Sequence, residues 1–193
     1  MPPIPPNGIQ VPAVLSIAGS DPSGGAGIQA DLKTFTSIGV YGAAAITSLT
    51  TQNTMGVSGI TVLPPELVRK QITEVLADLT VSHVKIGMVG SEETAIAIVE
   101  ALRDFDGEVI YDPVIRSTSG KALCEENTPL TLAEHIVTRA TVLTPNIPEL
   151  AMLSGQSPDD LNLTGTESVT GLFNRFPNLA ALALIGGHGQ ENG

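Results

Sequence analysis

Carboxylate and amide side chains follow several apolar segments of this sequence, where they could bind a small polar ligand. Asp112 ends such a segment in IYDPV, and an aspartate at a strand end is a frequent metal or phosphate position and an equally frequent turn cap. Asn146 and Glu149 lie three residues apart in TPNIPE, on one face of a helix start. Such a pair can form a capping box, or it can hold water bound to Mg²⁺, which keeps several waters and few protein ligands.

A glycine-rich stretch, AGSDPSGGAGIQADLKT at Ala18–Thr34, resembles a phosphate cradle between a strand and a helix. It does not match GxGxxG, and it lacks the Lys-Ser/Thr pair that closes a P-loop. A structural turn is an equally good interpretation of the glycines alone, because glycine permits positive φ and close approach of the backbone. Asp31 lies one turn into the predicted helix, where a carboxylate gains little from the helix dipole, so it could accept a hydrogen bond from a ligand.

Gln52 and Asn53 directly follow another predicted strand, in TTQNT. They form either a polar turn or an amide site that both donates and accepts, as an aminopyrimidine-like heterocycle requires. The segment RSTSGK, which ends at Lys121, is consistent with a mobile flap over phosphates and equally with an ordinary loop. The three histidines and the single cysteine, Cys124, do not have the spacing of a zinc site.

The composition describes a chain that can bury a sizeable core. Its 193 residues are 42% hydrophobic and 15% charged, which fits one domain and argues against disorder. The net charge of -11, without any basic run, argues against a nucleic-acid partner. The longest apolar run, Leu179–Ile185, is far short of the ~20 residues that span a bilayer. We therefore expect a soluble, cytoplasmic protein, in which the proline-rich residues 1–12 form a disordered leader.

Apolar, β-branched segments alternate with amphipathic ones along residues 13–193. The predicted strands are Val14–Ala18, Ala43–Leu49, Val57–Val62, His83–Met88, Val109–Tyr111, Thr141–Leu143 and Leu179–Ile185. The predicted helices are Gly27–Ile38, one opened by Pro64 and Pro65, one capped by Ser91 and ending near Arg103, Pro129–Thr138, one from Ile147, and Glu167–Phe176. This alternation predicts an α/β fold of three layers, with helices on both faces of a mostly parallel sheet and Val57–Val62 at an edge. Ligands bind beyond the carboxyl ends of such strands, so the polar groups should converge there.

Five motifs, in this order, resemble the hydroxymethylpyrimidine/phosphomethylpyrimidine kinases of thiamine biosynthesis. They are the glycine-rich stretch, QNT at 52–54, KIGM at 85–88, DPV at 112–114 and TPNIPE at 144–149. They cover nearly the whole chain from Val14. The resemblance implies a ribokinase-like fold, a homodimer, and ATP-dependent phosphorylation of 4-amino-5-hydroxymethyl-2-methylpyrimidine and then of its monophosphate, with Mg²⁺.

The resemblance also implies roles for individual residues. The pyrimidine pocket would be formed by Gly19, Asp31, Gln52, Met88 and Val114, with Gln52 at the pyrimidine edge and Asp31 as the pocket acid. The nucleotide and phosphate side would be formed by Asp112, Lys121, Asn146 and Glu149. Of these, Asp112 and Glu149 would hold the magnesium through water.

One family motif is not found in residues 1–193. The family carries a later GxGC or GxGD motif that supplies an oxyanion hole and the group that activates the attacking hydroxyl, so no catalytic residue is predicted here. Cys124 lies in KALCEE, outside that context. Phosphoryl transfer depends on positioning and electrostatic stabilisation, so we expect an amino-terminal part of a kinase domain.

Three other functions compete with this interpretation. A pyridoxal kinase shares the implied fold and a heterocyclic substrate that bears a hydroxymethyl group. A non-catalytic pyrimidine-binding module would need only the pocket. A dinucleotide-dependent oxidoreductase is disfavoured, because GxGxxG is absent and no acidic residue ends the second strand.

Overall fold

The computed structural model describes residues 11–115, 129–158 and 167–185. The strands in these residues are β1 (Ala13–Ser20), β2 (Tyr41–Asn53), β3 (Gly56–Val62), β4 (Val81–Ile86), β5 (Glu108–Tyr111), β6 (Val142–Leu143) and β7 (Ala181–Leu182). The helices are α1 (Gly27–Ser37), α2 (Pro65–Asp78), α3 (Glu92–Ala101), α4 (Pro129–Val137), α5 (Ile147–Ser154) and α6 (Glu167–Arg175). Residues 1–10 of the expected leader, the RSTSGK segment, Cys124 and His188 lie outside the described residues.

The described strands form one sheet in the order β3-β2-β1-β4-β5-β6-β7. Neighbouring strands are parallel except for β2 and β3, which form an antiparallel hairpin at the edge. This arrangement confirms the predicted α/β fold with a mostly parallel sheet, and β3 lies at the edge as expected. Because β1 lies inside the sheet and the chain moves from it first to one side and later to the other, crossovers of the usual right hand would place helices on both faces.

The helices pack against the sheet as two layers. Helix α1 contacts β1 and β2, whereas α2 to α6 contact one another in chain order. The core between the layers is aliphatic, as the 3% aromatic content requires, with Tyr111 as its largest fully buried side chain. Among the described helices, none combines the length and the apolarity needed to cross a bilayer.

Two strands differ from the prediction by more than about two residues at one end. Strand β2 continues to Asn53, because β3 folds back on it and pairs with its last residues, so Gln52 lies within the strand and not after it. The predicted strand Leu179–Ile185 is reduced to Ala181–Leu182. Its parallel neighbour β6 has only two residues and is followed by Pro145, which has no N–H for the ladder.

A buried aspartate organises the loop between β1 and α1. Asp21 is 2% exposed, and its Oδ1 accepts hydrogen bonds from the backbone N and the hydroxyl of Ser23, both at 2.8 Å. Its Oδ2 accepts from the backbone N of Gly25 at 3.0 Å and of Ala26 at 2.8 Å. The loop therefore folds around one carboxylate, which satisfies backbone donors that would otherwise be orphaned before the helix.

Gly27 closes the same loop against the end of β1. Its φ is +57°, and a Cβ at this position would lie 2.2 Å from the carbonyl oxygen of Gly19. Gln29 ties the first turn of α1 back to the strand, since its Oε1 accepts from the Asp21 N at 2.9 Å and its Nε2 donates to Ser20 Oγ at 2.7 Å. The glycine is required by the close approach of two backbone segments.

We expect Asp21→Asn to destabilise the fold by about 1–3 kcal/mol at neutral pH. Both oxygens of Asp21 accept hydrogen bonds, and asparagine replaces one of them with an NH₂ group that cannot accept. Burial of Asp21 opposes ionisation, but hydrogen bonds from Ser23, Ala26 and Gly25 outweigh it and hold the pKa below the usual aspartate value. A pKa lowered by folding contributes stability above the unfolded pKa, and that contribution is lost as the pH falls through the folded pKa.

The measurement is urea unfolding between about pH 7 and pH 2, with exposed Asp104→Asn as the control. As the pH falls, the free energy of unfolding of wild type should decrease until it equals that of Asp21→Asn. If Asp21→Asn and Asp104→Asn give the same stability at every pH, the carboxylate does not organise the loop.

Candidate functional site

A cavity of about 290 Å³ opens where β1, β2, β4 and β5 end. This volume is that of about ten water molecules in the liquid, enough for a small heterocycle. The five residues that the resemblance implied for a pyrimidine pocket all line it, namely Gly19, Asp31, Gln52, Met88 and Val114. Asp112, expected on the phosphate side, lines the same cavity. The predicted convergence at the carboxyl ends of the strands is therefore what the fold produces.

Gln52 reaches the cavity because alternate side chains of β2 point to the same face. Thr50, two residues earlier, also lines the cavity, and its hydroxyl donates to the carbonyl oxygen of Ser20 at 2.9 Å. The same hydroxyl oxygen lies 3.2 Å from Oε1 of Gln52. Thr50 thus fixes the end of β2 against the end of β1 and lies beside the glutamine amide, contacts that the sequence did not indicate.

Met88 and Gly19 form an apolar part of the cavity wall. Met88 is 7% exposed, and its sulfur lies 3.0 Å from the point where a Cβ on Gly19 would be. The hydroxyl of buried Thr47 donates to the Met88 carbonyl at 2.6 Å and so fixes the segment after β4 against β2. This contact places the Met88 side chain beside Gly19 and leaves a surface on which a flat ring can stack.

Asp31 meets a lysine that the sequence analysis did not assign to the site. Its Oδ2 accepts from Ser16 Oγ at 2.6 Å and lies 3.2 Å from Lys85 Nζ, which is 3.9 Å from Asp112 Oδ2. Lys85 is the fifth residue of β4, VSHVKI, between the fully buried Val84 and Ile86. A lysine within a buried strand requires an acidic partner, and this was the available signal.

The carboxyl group of Asp112 is destabilised in its charged form. Burial raises its pKa above the usual aspartate value, the ammonium of Lys85 opposes this shift, and the negative charge of Asp31 adds to it. A buried carboxylate that retains a raised pKa beside one lysine can accommodate further positive charge. Asp112 is therefore suited to face a cation.

Asn146 and Glu149 form the capping box at the start of α5. Asn146 Oδ1 accepts from the Glu149 N, and Glu149 Oε2 accepts from the Asn146 N, both at 2.9 Å. Burial raises the pKa of Glu149, the backbone N–H of Asn146 opposes the shift, and the charge of Asp112 adds to it. Neither residue lines the cavity, but Glu149 is close enough for its charge to interact with that of Asp112.

Two carboxylates are too few for a metal site built from protein ligands alone. Within the described ranges, no cluster of three or more His, Cys, Asp or Glu side chains could hold a metal ion. Asp112 and Glu149 do fit an ion that keeps most of its water, as Mg²⁺ does, because each carries a charge that its surroundings leave undercompensated. Lys121, also expected on this side, lies outside the described residues.

The glycine-rich loop lines the cavity but offers few donors to a phosphate. The backbone N–H groups of Gly25 and Ala26, just before α1, already donate to Asp21. A phosphate at this helix start would have to displace a buried carboxylate of the same charge. The loop therefore shapes the cavity wall and is not a P-loop.

Sequence comparison identifies relatives along most of the chain. The family model described as phosphomethylpyrimidine kinase matches residues 21–192. The hydroxymethylpyrimidine/phosphomethylpyrimidine kinase of Rhizobium meliloti is 49% identical over 143 residues, 74% of this chain and 54% of that protein. The Escherichia coli protein of the same name is 41% identical over 140 residues, 72% of this chain and 53% of that protein. The chain thus spans about half the length of these relatives.

Solved structures show the same architecture. Phosphomethylpyrimidine kinase from Clostridium difficile superimposes with a TM-score of 0.78 at 38% identity, covering 94% of this chain and 78% of that one. Pyridoxal kinase from Staphylococcus aureus in complex with pyridoxal gives 0.74 at 31% identity, covering 92% and 66%. This chain therefore has the ribokinase-like fold and belongs to the phosphomethylpyrimidine kinase family.

Proposed function

We propose that this chain carries the substrate pocket of a kinase that phosphorylates 4-amino-5-hydroxymethyl-2-methylpyrimidine, and then its monophosphate, with ATP in thiamine biosynthesis. One observation carries the proposal. A single cavity brings together an amide that can donate and accept, an anchored carboxylate and a second carboxylate suited to a cation, namely Gln52, Asp31 and Asp112. The Rhizobium meliloti and Escherichia coli relatives are hydroxymethylpyrimidine/phosphomethylpyrimidine kinases, which supports the same substrate.

Each of the cavity residues would contact a different part of this substrate. The Gln52 amide matches the edge of an aminopyrimidine, which offers an amino donor beside a ring-nitrogen acceptor. Met88 and Val114 supply apolar contact for the ring. Asp31 accepts a hydrogen bond from a donor on the substrate. Holding the ring on three sides would orient the hydroxymethyl oxygen, and orientation is a principal contribution to phosphoryl transfer.

Asp112, in the cavity, and Glu149, near it, would hold Mg²⁺ through its water ligands. When bound, the ion neutralises charge on the phosphate oxygens of ATP. We assign Lys121 to the same side, as the resemblance implies, and propose that the protein is cytoplasmic, in keeping with its single cysteine.

Pyridoxal kinase is the second candidate, because the Staphylococcus aureus enzyme solved with pyridoxal has the same architecture. Pyridoxal also carries a hydroxymethyl group on a flat heterocycle. It lacks the amino group next to a ring nitrogen, and the Gln52 amide would then lose one of two complementary hydrogen bonds. The amide therefore favours the pyrimidine.

We expect the chain to bind the hydroxymethylpyrimidine more tightly than pyridoxal in isothermal titration calorimetry. Gln52→Leu should weaken pyrimidine binding about 5- to 150-fold, because burying unpaired polar groups of the ligand costs about 1–3 kcal/mol. Thr51→Val is the matched control, since Thr51 is the preceding residue of β2 and its side chain is exposed on the other face.

If wild type binds pyridoxal more tightly than the hydroxymethylpyrimidine, the proposed substrate is wrong and pyridoxal takes its place. Equal pyrimidine affinities of Gln52→Leu and Thr51→Val would show that the glutamine does not contact the ligand.

Variants can test the charge of Glu149, which would attract Mg²⁺, separately from its role in the helix cap. Glu149→Gln should preserve the capping box, since glutamine serves at this position, yet weaken Mg²⁺ binding by about tenfold. Asp112→Asn should weaken it similarly. Asn146→Ala should instead lower stability by about 1 kcal/mol, because it removes the helix cap.

Mg²⁺ binding is measured calorimetrically and stability by urea unfolding for the same variants. If Glu149→Gln binds Mg²⁺ as wild type does, Glu149 is a capping residue only, and the metal assignment to it is wrong.

We also propose that the protein forms a homodimer through the β2–β3 hairpin. Strand β3 has an unpaired edge in the described sheet, and the hairpin exposes Leu49 by 48% and Met55 by 87%. An exposed strand edge with apolar side chains is a surface that soluble proteins usually cover.

Sedimentation of wild type should give twice the chain mass, and Met55→Lys together with Leu49→Lys should give a monomer. Ile38→Lys, at an apolar residue 68% exposed outside the hairpin, is the control and should remain a dimer. A monomeric wild type contradicts the proposal, and dissociation by Ile38→Lys alone would move the interface elsewhere.

A further inference from the structure

Lys85 occupies the space between the two acids of the cavity. Its side chain is 23% exposed, and its ammonium lies 3.2 Å from Asp31 Oδ2 and 3.9 Å from Asp112 Oδ2. Both carboxylates are partly buried, at 17% and 27% exposure, so the three charges interact with little screening. The shorter distance makes Asp31 the principal partner of the lysine.

The contacts of Asp31 are concentrated on one of its two oxygens. Ser16 Oγ donates to Oδ2 at 2.6 Å, and the Lys85 ammonium donates to the same atom. Among the described residues, no hydrogen-bond donor contacts Oδ1, while Asp31 lines the cavity. Oδ2 is thus held by two donors, of which Lys85 also lines the cavity, and the second oxygen is left to a ligand.

Gly87, two residues after Lys85, leaves room for the lysine ammonium because it has no side chain. A Cβ on Gly87 would lie 2.9 Å from Lys85 Nζ and 3.2 Å from the Ala18 Cβ. An alanine here would therefore push the end of the flexible lysine side chain aside and preserve its charge. This provides a way to move the ammonium without removing it.

We propose that Lys85 is a positioning residue that, together with Ser16, fixes Asp31 so that only Oδ1 faces the ligand. An anchored carboxylate oxygen accepts hydrogen bonds and repels other acceptors, so the pocket selects ligands that place an amino or hydroxyl donor beside Asp31. Lys85 acts through Asp31 and needs no contact with the ligand. The inference rests on the proposed function for the identity of that ligand.

A double-mutant cycle tests this role, with the hydroxymethylpyrimidine as the titrated ligand. Lys85→Met should weaken binding about tenfold or more in wild type, and less than about twofold in the Asp31→Asn background, because the residue that it positions is already lost. Gly87→Ala should cause an intermediate loss. Lys70→Met, at an exposed lysine of α2, is the control and should bind as wild type does.

Equal losses from Lys85→Met in both backgrounds would overturn the proposal, because Lys85 would then act directly or through the fold. Melting temperatures of the same variants identify an effect on the fold. If wild type binds pyridoxal and not the pyrimidine, the proposed function fails, and the same cycle with pyridoxal decides the role of Lys85.

If wild type binds neither ligand, the crystal structures of wild type and Lys85→Met decide. An Asp31 carboxylate that leaves Ser16 in the variant supports positioning by the lysine, and an unchanged carboxylate overturns it.

Discussion

The contact of one ammonium with two carboxylates is the interaction on which this site depends. Asp31 comes from the first half of α1, Lys85 from β4 and Asp112 from the segment after β5, so three separate parts of the chain must meet at one place. Burying any one of these charges alone would be costly, and together they offset most of that cost. The parallel sheet makes the arrangement possible, because it brings the carboxyl ends of its strands to one edge.

The carboxylate of Asp21 explains why the glycine-rich loop lines the cavity but does not have the free backbone donors of a P-loop. Asp21 uses the backbone N–H groups of Gly25 and Ala26 to build the loop, and these are donors that a phosphate would need. Once they are satisfied internally, the loop forms one wall of the cavity. Gly27 allows this wall to approach the end of β1 closely.

The ribokinase-like fold alone does not distinguish the two candidate substrates, since relatives named for pyrimidines and for pyridoxal share it. Discrimination depends on the few polar atoms that face the ring. In this chain the cavity is lined by Gln52, which lies beside Thr50, and by Asp31, which accepts hydrogen bonds from Ser16 and Lys85. A carboxylate held in this way cannot rotate without losing a hydrogen bond, and fixed polar groups of this kind can favour one ligand over another.

The sequence by itself determined the alternation of strands and helices, the edge position of β3, and local contacts such as the Ser91 cap and the capping box of Asn146, because these depend on residues a few positions apart. The motifs also indicated the residues that surround the cavity. Only the tertiary structure decided the extension of β2, the shortening of β7, and the contacts that Thr50, Ser16 and Lys85 make at the cavity. Lys85 and Asp31 are 54 residues apart, and no local periodicity encodes a contact that forms only when α1 packs over the sheet that contains β4.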